Sequence, residues 1–232
     1  MHWTIDDSTT WPWMILIALT LGLRHGLDLD HLATIDAIAR TTRENRAVSK
    51  LVGVLFSFGH GMIVTAISIV IGAGLIEAHV PQWLEGFGAV VSIFFLILFG
   101  ALNLWSVFQK SLSNIPKGLQ SYLAKKLIGK KTNPAMVVAI GALFAFSFDT
   151  ISQISLFAIS ATLMSGWLFS GLLGLMFTIG MMITDGCNGF FVAALIQRAD
   201  QKSQIVSRIL GFAVAAFSLT IGVIGMVALY KS

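Results

Sequence analysis

Near its N-terminus the chain reads Gly22-Leu23-Arg24-His25-Gly26-Leu27-Asp28-Leu29-Asp30-His31-Leu32, within a long apolar run. This stretch places two imidazoles and two carboxylates where a membrane-spanning helix is expected. Ionisable groups are costly inside a bilayer, and they normally mark an ion path, a ligand site or a proton relay. Nitrogen and oxygen ligands together are also the donors that divalent transition metals bind. The stretch therefore predicts a protein that handles a metal ion within the membrane.

The composition is that of an integral membrane protein. Of the 232 residues, 56% are hydrophobic and only 11% are charged, and the mean hydropathy is +0.85. A soluble domain averages about 25% charged residues. The sequence pI is near 9.4, but the basic residues lie between the apolar runs rather than in one patch. That distribution fits membrane topology and argues against a nucleic-acid partner.

Several apolar segments are long enough to span a bilayer, which takes roughly 20 mostly apolar residues. They cover residues 11–39, 51–76, 87–108, 135–163, 167–196 and 209–230. Each is predicted as one helix, because a helix satisfies its own backbone polar groups in lipid. The predicted fold class is therefore all-α, a polytopic membrane bundle of six transmembrane helices.

The basic residues orient this bundle. The loops after the first, third and fifth segments hold 13 of the 15 Lys and Arg residues, whereas the second and fourth loops hold none. An excess of Lys and Arg marks the cytoplasmic side, so both termini are predicted outside. We expect a multi-pass protein of the cytoplasmic membrane.

One long connection, residues 109–134, is predicted to be cytoplasmic and divides the chain into two groups of three helices. The groups cover residues 1–108 and 135–232 of a single transmembrane domain, 1–232. Many transporters are built from such repeats, with the substrate site at their interface. Phe56-Ser57-Phe58 and Phe146-Ser147-Phe148 are the internal similarity that favours a repeat here, although chance produces such matches in a Phe-rich chain.

The spacing of the first cluster suggests one polar helix face. Each residue of a helix advances about 100°, so His25, Asp28 and His31 are predicted to line one face, while Asp30 points away from it. Asp28 is expected either to bind a metal or to orient a histidine by a hydrogen bond. The alternative is a structural salt-bridge network with Arg24, but so many ionisable groups in one stretch cost too much for that role alone.

Other polar groups lie inside the later predicted spans. His60 has small neighbours that let another helix approach, and beside the first cluster it is predicted as a ligand. Residues predicted to line an ion path or to orient ligands are Asp149, Thr150, Gln153, Asp185 and Asn188. Cys187 is a weaker candidate ligand, because a lone membrane cysteine is more often inert packing. His2 is another, because a terminal amine and a nearby imidazole chelate Ni²⁺.

These polar groups fall in four segments on four predicted helices. The segments are Arg24-His25-Gly26-Leu27-Asp28-Leu29-Asp30-His31-Leu32, Phe58-Gly59-His60-Gly61-Met62-Ile63-Val64, Phe146-Ser147-Phe148-Asp149-Thr150-Ile151-Ser152-Gln153 and Gly180-Met181-Met182-Ile183-Thr184-Asp185-Gly186-Cys187-Asn188-Gly189. In this order they resemble the four signatures of the nickel/cobalt transporter family, NiCoT. Those signatures read Arg-His-Ala-x-Asp-Ala-Asp-His-Ile, Leu-Gly-His-Ser-(Ser/Thr)-Val-Val, Leu-Gly-Phe-Asp-Thr-Ala-Thr-Glu and Gly-Met-x-Leu-x-Asp-Thr-x-Asp-Gly.

The resemblance implies secondary uptake of Ni²⁺ or Co²⁺, with the first signature central to recognition of the ion. The chain departs from the signatures at Gln153, where the family has Glu, at Asn188, where it has Asp, and at Gly186, where it has Thr. Family members commonly have eight helices, so this chain is expected to be a divergent six-helix member. Fewer carboxylates weaken hard cations relative to ions that prefer nitrogen, which keeps Ni²⁺ and Co²⁺ first.

We therefore expect a permease rather than an enzyme, with no cofactor beyond the transported ion. The candidate metal residues are His25, Asp28, Asp30, His31 and His60. Asp149 and Asp185 are expected to compensate charge or to relay the ion inward. Binding needs neutral imidazole, so low external pH is expected to weaken it. The expected partners are the ion and the bilayer, and a homo-oligomer is compatible with the sequence.

Three alternatives remain at this point. A metal-dependent intramembrane hydrolase would use the same side chains to hold Zn²⁺ and activate water, but the chain has no His-Glu-x-x-His motif. A metal exporter would have the same architecture. A metal sensor, or a subunit that needs partner chains, is the third.

Overall fold

The computed structural model describes residues 7–75, 82–109, 133–146, 151–162, 166–197 and 201–231. Every regular element within these ranges is a helix, which confirms the all-α prediction. In chain order the helices are α1 (Asp7–His25), α2 (Leu29–Thr41), α3 (Arg46–Gly72), α4 (Gln82–Gln109), α5 (Pro134–Phe144), α6 (Ile151–Thr162), α7 (Gly166–Gln197) and α8 (Gln201–Lys231). Among the described residues, three helices are long and apolar enough to cross a membrane, namely Arg46–Gly72, Gly166–Gln197 and Arg208–Lys231.

The first predicted span is broken, so the expectation of one helix over residues 11–39 is wrong. α1 ends at His25 and α2 begins at Leu29. The Leu27 N–H donates to the Arg24 carbonyl and the Asp28 N–H to the His25 carbonyl, which tightens the chain as it leaves α1. Asp28 has an extended backbone, with φ −64° and ψ 142°, and forms the N-cap of α2. Hydrophobic periodicity runs across this break and does not reveal it, and the Asp28 side chain bonds to His25 rather than capping α2.

The fourth predicted span is interrupted as well, so one helix over residues 135–163 is also wrong. α5 ends at Phe144, and Ala145 and Phe146 form a turn that bonds back to α5. The Gln153 Nε2 donates to the Ala145 carbonyl at 2.9 Å, so a side chain of α6 satisfies a backbone group that the turn exposes. Asp149 and Thr150 lie outside the described residues.

α3 and α7 form the centre of the bundle and pack along each other in opposite directions. Gly72, at the end of α3, lies against Ser170, near the start of α7. Towards the other end of the pair, Gly53 lies against the carbonyl of Asp185. Because Gly53 has no Cβ, the two backbones approach closely enough to bring Ser57 onto the Asp185 carboxylate.

The two halves of the chain repeat one arrangement, in which a broken helix is followed by two long ones. The first half's α1 packs on α7 through Gly22 and Gly180, and the second half's α5 packs on α3 through Gly141 and Gly59. The sequences at these crossings agree, since Gly53-Val54-Leu55-Phe56-Ser57-Phe58-Gly59 matches Gly174-Leu175-Met176-Phe177-Thr178-Ile179-Gly180. The equivalent of Phe56-Ser57 is therefore Phe177-Thr178. Phe146 follows the first helix of its half, so its similarity to Phe56 is not part of this repeat.

α4 and α8 pack on each other beside this centre. Gly100 of α4 lies against Leu219, and Gly222 of α8 lies against Ile97. The opposite face of α8 exposes apolar side chains such as Ile209, Phe212 and Ile224. That face is suited to lipid.

The close contact of α3 with α7 makes Gly53 sensitive to any side chain. The Cβ in Gly53→Ala would overlap the Asp185 carbonyl and is expected to destabilise the protein by about 1–3 kcal/mol. Thermal unfolding in detergent measures the loss. Gly86→Ala in α4 is the matched control, since its Cβ would meet no atom within 4 Å. An equal melting temperature for Gly53→Ala and the wild type would contradict the packing.

Candidate metal centre

Three histidines meet in the interior of the bundle. His25 ends α1, His31 lies in the first turn of α2, and His60 lies near the middle of α3. Each offers one ring nitrogen within 4.8 Å of the others', and none is more than 1% exposed. The ring centroids are 4.6 Å apart for His25 and His31, 4.9 Å for His31 and His60, and 5.1 Å for His25 and His60. We call these three side chains the histidine cluster.

The break between α1 and α2 brings the first two ligands together. We expected His25, Asp28 and His31 on one face of a continuous helix, and that geometry is wrong because the two histidines belong to different helices. The chain turns at Gly26, where a Cβ would overlap Thr184 of α7. The same residues therefore converge by a different route from the predicted one.

In two of the three rings Nδ1, the nitrogen that points away from the other rings, is hydrogen-bonded to a carboxylate. The Nδ1 of His25 lies 3.0 Å from Oδ2 of Asp28, which does not cap α2 with its side chain. The Nδ1 of His31 lies 2.9 Å from Oδ2 of Asp185. Ser57 donates its hydroxyl to the same Asp185 oxygen at 2.6 Å. A carboxylate on Nδ1 fixes the ring orientation and leaves Nε2 as the nitrogen that can face an ion.

Gln153 lies beside the third ring. Its side chain approaches His60, and it is fully buried. Neither Oε1 of Gln153 nor Nδ1 of His60 has a hydrogen-bond partner of good geometry among the described residues. An amide oxygen and an imidazole N–H are complementary, so Gln153 is the described side chain suited to pair with His60.

The inner nitrogens face one another. The Nε2 atoms of His25 and His60 are 3.2 Å apart, and two lone pairs would repel at that distance. A proton or a cation between them removes the repulsion. Bonds from imidazole nitrogen to a transition metal are about 2.0–2.1 Å, so three ring nitrogens within 4.8 Å of one another could hold one ion between them.

Aromatic rings close the cluster on both sides. Phe177 lies 5.2 Å from His25 and Phe56 lies 5.0 Å from His31, between ring centroids. Phe56 and Phe177 are equivalent residues of the two halves, and both are fully buried. They keep water from the rings, which strengthens electrostatic interactions inside the cluster.

Arg24 lies at the edge of the cluster. Its Nη1 donates to the Ser152 hydroxyl of α6 and lies 4.0 Å from Oδ1 of Asp28. The guanidinium therefore connects the break between α1 and α2 with the first turn of α6.

The remaining predicted residues either lie outside the histidine cluster or lie outside the described residues. Asp30 and Asn188 are outside the cluster. The Oδ1 of Asp30 accepts the backbone N–H of His31 at 2.9 Å, within the first turn of α2. Cys187 is exposed on a face of α7 with Ile183 and Phe190, away from the buried rings. Asp149, Thr150 and His2 lie outside the described residues.

Ser57 and the two flanking phenylalanines, Phe56 and Phe177, also belong to the site, although they were not predicted from the sequence. The signal was present in the repeated pattern Gly-x-x-Phe-(Ser/Thr)-x-Gly of α3 and α7. Only the structure shows that this pattern lies at the level of the histidines.

The hydrogen bond from Ser57 to Asp185 is expected to stabilise the fold. Ser57→Ala leaves a buried carboxylate oxygen with one donor fewer, which should cost about 1–2 kcal/mol in unfolding free energy. Ser68→Ala is the matched control on the same helix, since Ser68 is equally buried and its hydroxyl has no partner in the described part of the chain. Equal melting temperatures for the two variants in detergent would contradict this role of Ser57.

Comparison with known proteins identifies relatives. The chain is 32% identical over 203 residues to the nickel transporter NixA of Staphylococcus aureus, and the aligned residues cover 76% of this chain and 60% of the relative. It is 31% identical over 204 residues to the high-affinity nickel-transport protein NixA of Helicobacter pylori, with 76% and 61% covered. It is 28% identical over 244 residues to the cobalt transport protein NhlF of Rhodococcus rhodochrous, with 91% and 67% covered. No solved structure matches the chain.

The chain spans about 60% of the length of the first of these relatives. Their names describe transport proteins and not enzymes, so the hydrolase alternative has no support from them. The family model described as a high-affinity nickel-transport protein matches residues 11–232. Because that match covers almost the whole sequence and agrees with the four signature segments, the chain belongs to the family of nickel/cobalt transporters.

Proposed function

We propose that the chain is a permease that carries Ni²⁺ or Co²⁺ across the cytoplasmic membrane into the cell. The observation that carries the proposal is the buried histidine cluster, in which Asp28 and Asp185 are hydrogen-bonded to Nδ1 of two of the rings. The names of the relatives, nickel transporters and a cobalt transport protein, support the choice of ion. An exporter is not favoured by any of them.

The proposed topology has six spans, with α1 and α2 counted as one broken span and α5 and α6 as another. Residues 1–108 and 135–232 form its two groups of three within one domain, and residues 109–134 connect them in the cytoplasm. Exposed aromatic residues support a shared outer side for the start of α1, the start of α7 and the end of α8, namely Trp11, Trp13, Trp167 and Tyr230. Such rings favour the membrane interface.

In this proposal His25, His31 and His60 bind the ion through Nε2. Asp28 and Asp185 orient two of the rings, and their two negative charges balance a divalent cation in the apolar interior. Nitrogen ligands select Ni²⁺ and Co²⁺ over Mg²⁺ and Ca²⁺, which prefer oxygen. The neutral Gln153 then keeps the charge of the loaded site near zero.

The ion leaves inward along α7 in this proposal. The Asp185 Oδ1 and the Asn188 Nδ2 are buried, and neither has a hydrogen-bond partner among the residues described. Asp185 and Asn188 are three residues apart on α7, so they lie on one side of it. Asp149 and Thr150 are proposed as further members of the path on sequence grounds.

Uptake should depend on each ring of the cluster. His25→Ala and His60→Ala are each expected to abolish saturable uptake of radioactive Ni²⁺ and Co²⁺ into cells, because two imidazoles cannot replace three. His79→Ala, in the second predicted loop, is the control. Unchanged uptake by either cluster variant would refute this site, and no uptake by well-expressed wild type would refute the permease.

The orienting carboxylates should tune affinity. Asp28→Asn and Asp185→Asn are each expected to weaken Co²⁺ binding to the purified protein by about 10–100-fold, as loss of a carboxylate behind a ligating histidine does. Asp30→Asn provides the comparison, because the amide oxygen can still accept the His31 N–H, and less than a threefold change is expected. Equal effects at all three positions, read by equilibrium dialysis, would contradict the orienting role.

A further inference from the structure

Arg24 is exposed at a depth where exposure to lipid is unfavourable. It comes one residue before His25, level with the middle of α3, and its side chain is 53% exposed. The Asp28 side chain is 21% exposed, whereas the three histidines are buried. The polar surface of the site is therefore concentrated at these two residues.

The contacts form a continuous polar chain from this surface to the interior. Arg24 interacts with Asp28, and Asp28 holds His25. The Nε2 of His25 in turn faces that of His60. A cation that reaches Asp28 is thus already next to the first ring of the histidine cluster.

The exposed residues around Arg24 are mostly apolar. Ile17 of α1 and Leu27 of the following turn are 46% and 58% exposed, and neither can satisfy a guanidinium. The one exposed hydroxyl described on this face of α1, that of Thr20, donates to the Leu16 carbonyl. An arginine facing hydrocarbon is expensive, and such residues normally face a bundle interior or a water-filled cavity. Contact with water would account for the exposure of Arg24 and of Asp28.

We propose that Arg24, Asp28 and Ser152 form the mouth of an aqueous path to the histidine cluster. In this proposal the Arg24 guanidinium pairs with the Asp28 carboxylate until an arriving divalent cation displaces it. The displacement step rests on the proposed function, whereas the aqueous path does not. The guanidinium and the incoming cation compete for one carboxylate and repel each other, so only one of them stays. The same Nη1 of Arg24 that lies near Asp28 also donates to Ser152, and this bond would keep the guanidinium at the mouth when it moves away from Asp28.

Accessibility of a thiol at position 24 tests the path. Methanethiosulfonates react with thiolates, which form readily in contact with water and poorly in an apolar environment. The variant Arg24→Cys is made in a Cys187→Ser background, because Cys187 is the single cysteine of the chain. Labelling by the impermeant cation methanethiosulfonate ethyltrimethylammonium is measured on intact cells and on inverted membrane vesicles.

The wild-type chain is the matched control for this labelling. Its Cys187 lies on an exposed apolar face with Ile183 and Phe190, so lipid should shield it. We expect position 24 to be labelled at least tenfold faster than Cys187 from one membrane face. Equally slow labelling of both thiols from both faces, with full reaction of both after denaturation in SDS, would overturn the path.

Metal affinity tests the displacement. Arg24→Gln removes the competitor and is expected to tighten Co²⁺ binding to the purified protein several-fold, while Arg24→Lys keeps the charge and stays near wild type. Arg43→Gln, in the exposed turn after α2, controls for the change in net charge. Weaker or unchanged binding by Arg24→Gln would overturn the competition.

The two proposals fail separately. Labelling at position 24 requires no transport, so a labelled thiol in a chain that takes up no metal would keep the path and refute the permease. Uptake by the wild type with an unlabelled position 24 would refute the path alone.

Discussion

The burial of three imidazole rings in an apolar interior is the constraint on which the rest of the structure depends. Each ring has two nitrogens that need partners, because an unpaired polar group is costly where no water reaches it. The protein meets this requirement with an acceptor on Nδ1 of two rings, Asp28 for His25 and Asp185 for His31, and it places the Gln153 side chain beside the third, His60. These side chains come from the start of α2, from α7 and from α6, so the packing of these helices around α3 follows from the chemistry of the cluster.

The two halves share a backbone plan but differ in chemistry. The glycine crossings of α1 on α7 and of α5 on α3 are equivalent. In the register that these crossings set, His60 of α3 corresponds to Met181 of α7, and Asp185 of α7 corresponds to Val64 of α3. The first half therefore supplies the imidazoles and Asp28, and the second half supplies Asp185, which bonds to His31, and Gln153, which lies beside His60. A site at the junction of two such halves needs both of them in place.

The helical class of the fold and the members of the histidine cluster could be predicted from the composition and from the polar segments. The charge deficit gave the helical membrane bundle, and the residues of the first two signature segments include all three members of the histidine cluster. The breaks after His25 and Phe144 could not be read, since apolar residues continue on both sides and the break depends on tertiary contacts. The partner of His31 is 154 residues away in sequence, and its identity needs the approach of α7 to α3 at Gly53.

The break after His25 has a mechanical consequence. The three rings lie on α1, α2 and α3, which are joined by short turns. An ion bound by all three rings would therefore link the three helices at one point. The length of the bonds that such an ion formed would then constrain the angle between α1 and α2, and a change of less than an ångström at the rings would be larger at the far end of each helix. Ions of different size would in this way favour different helix tilts.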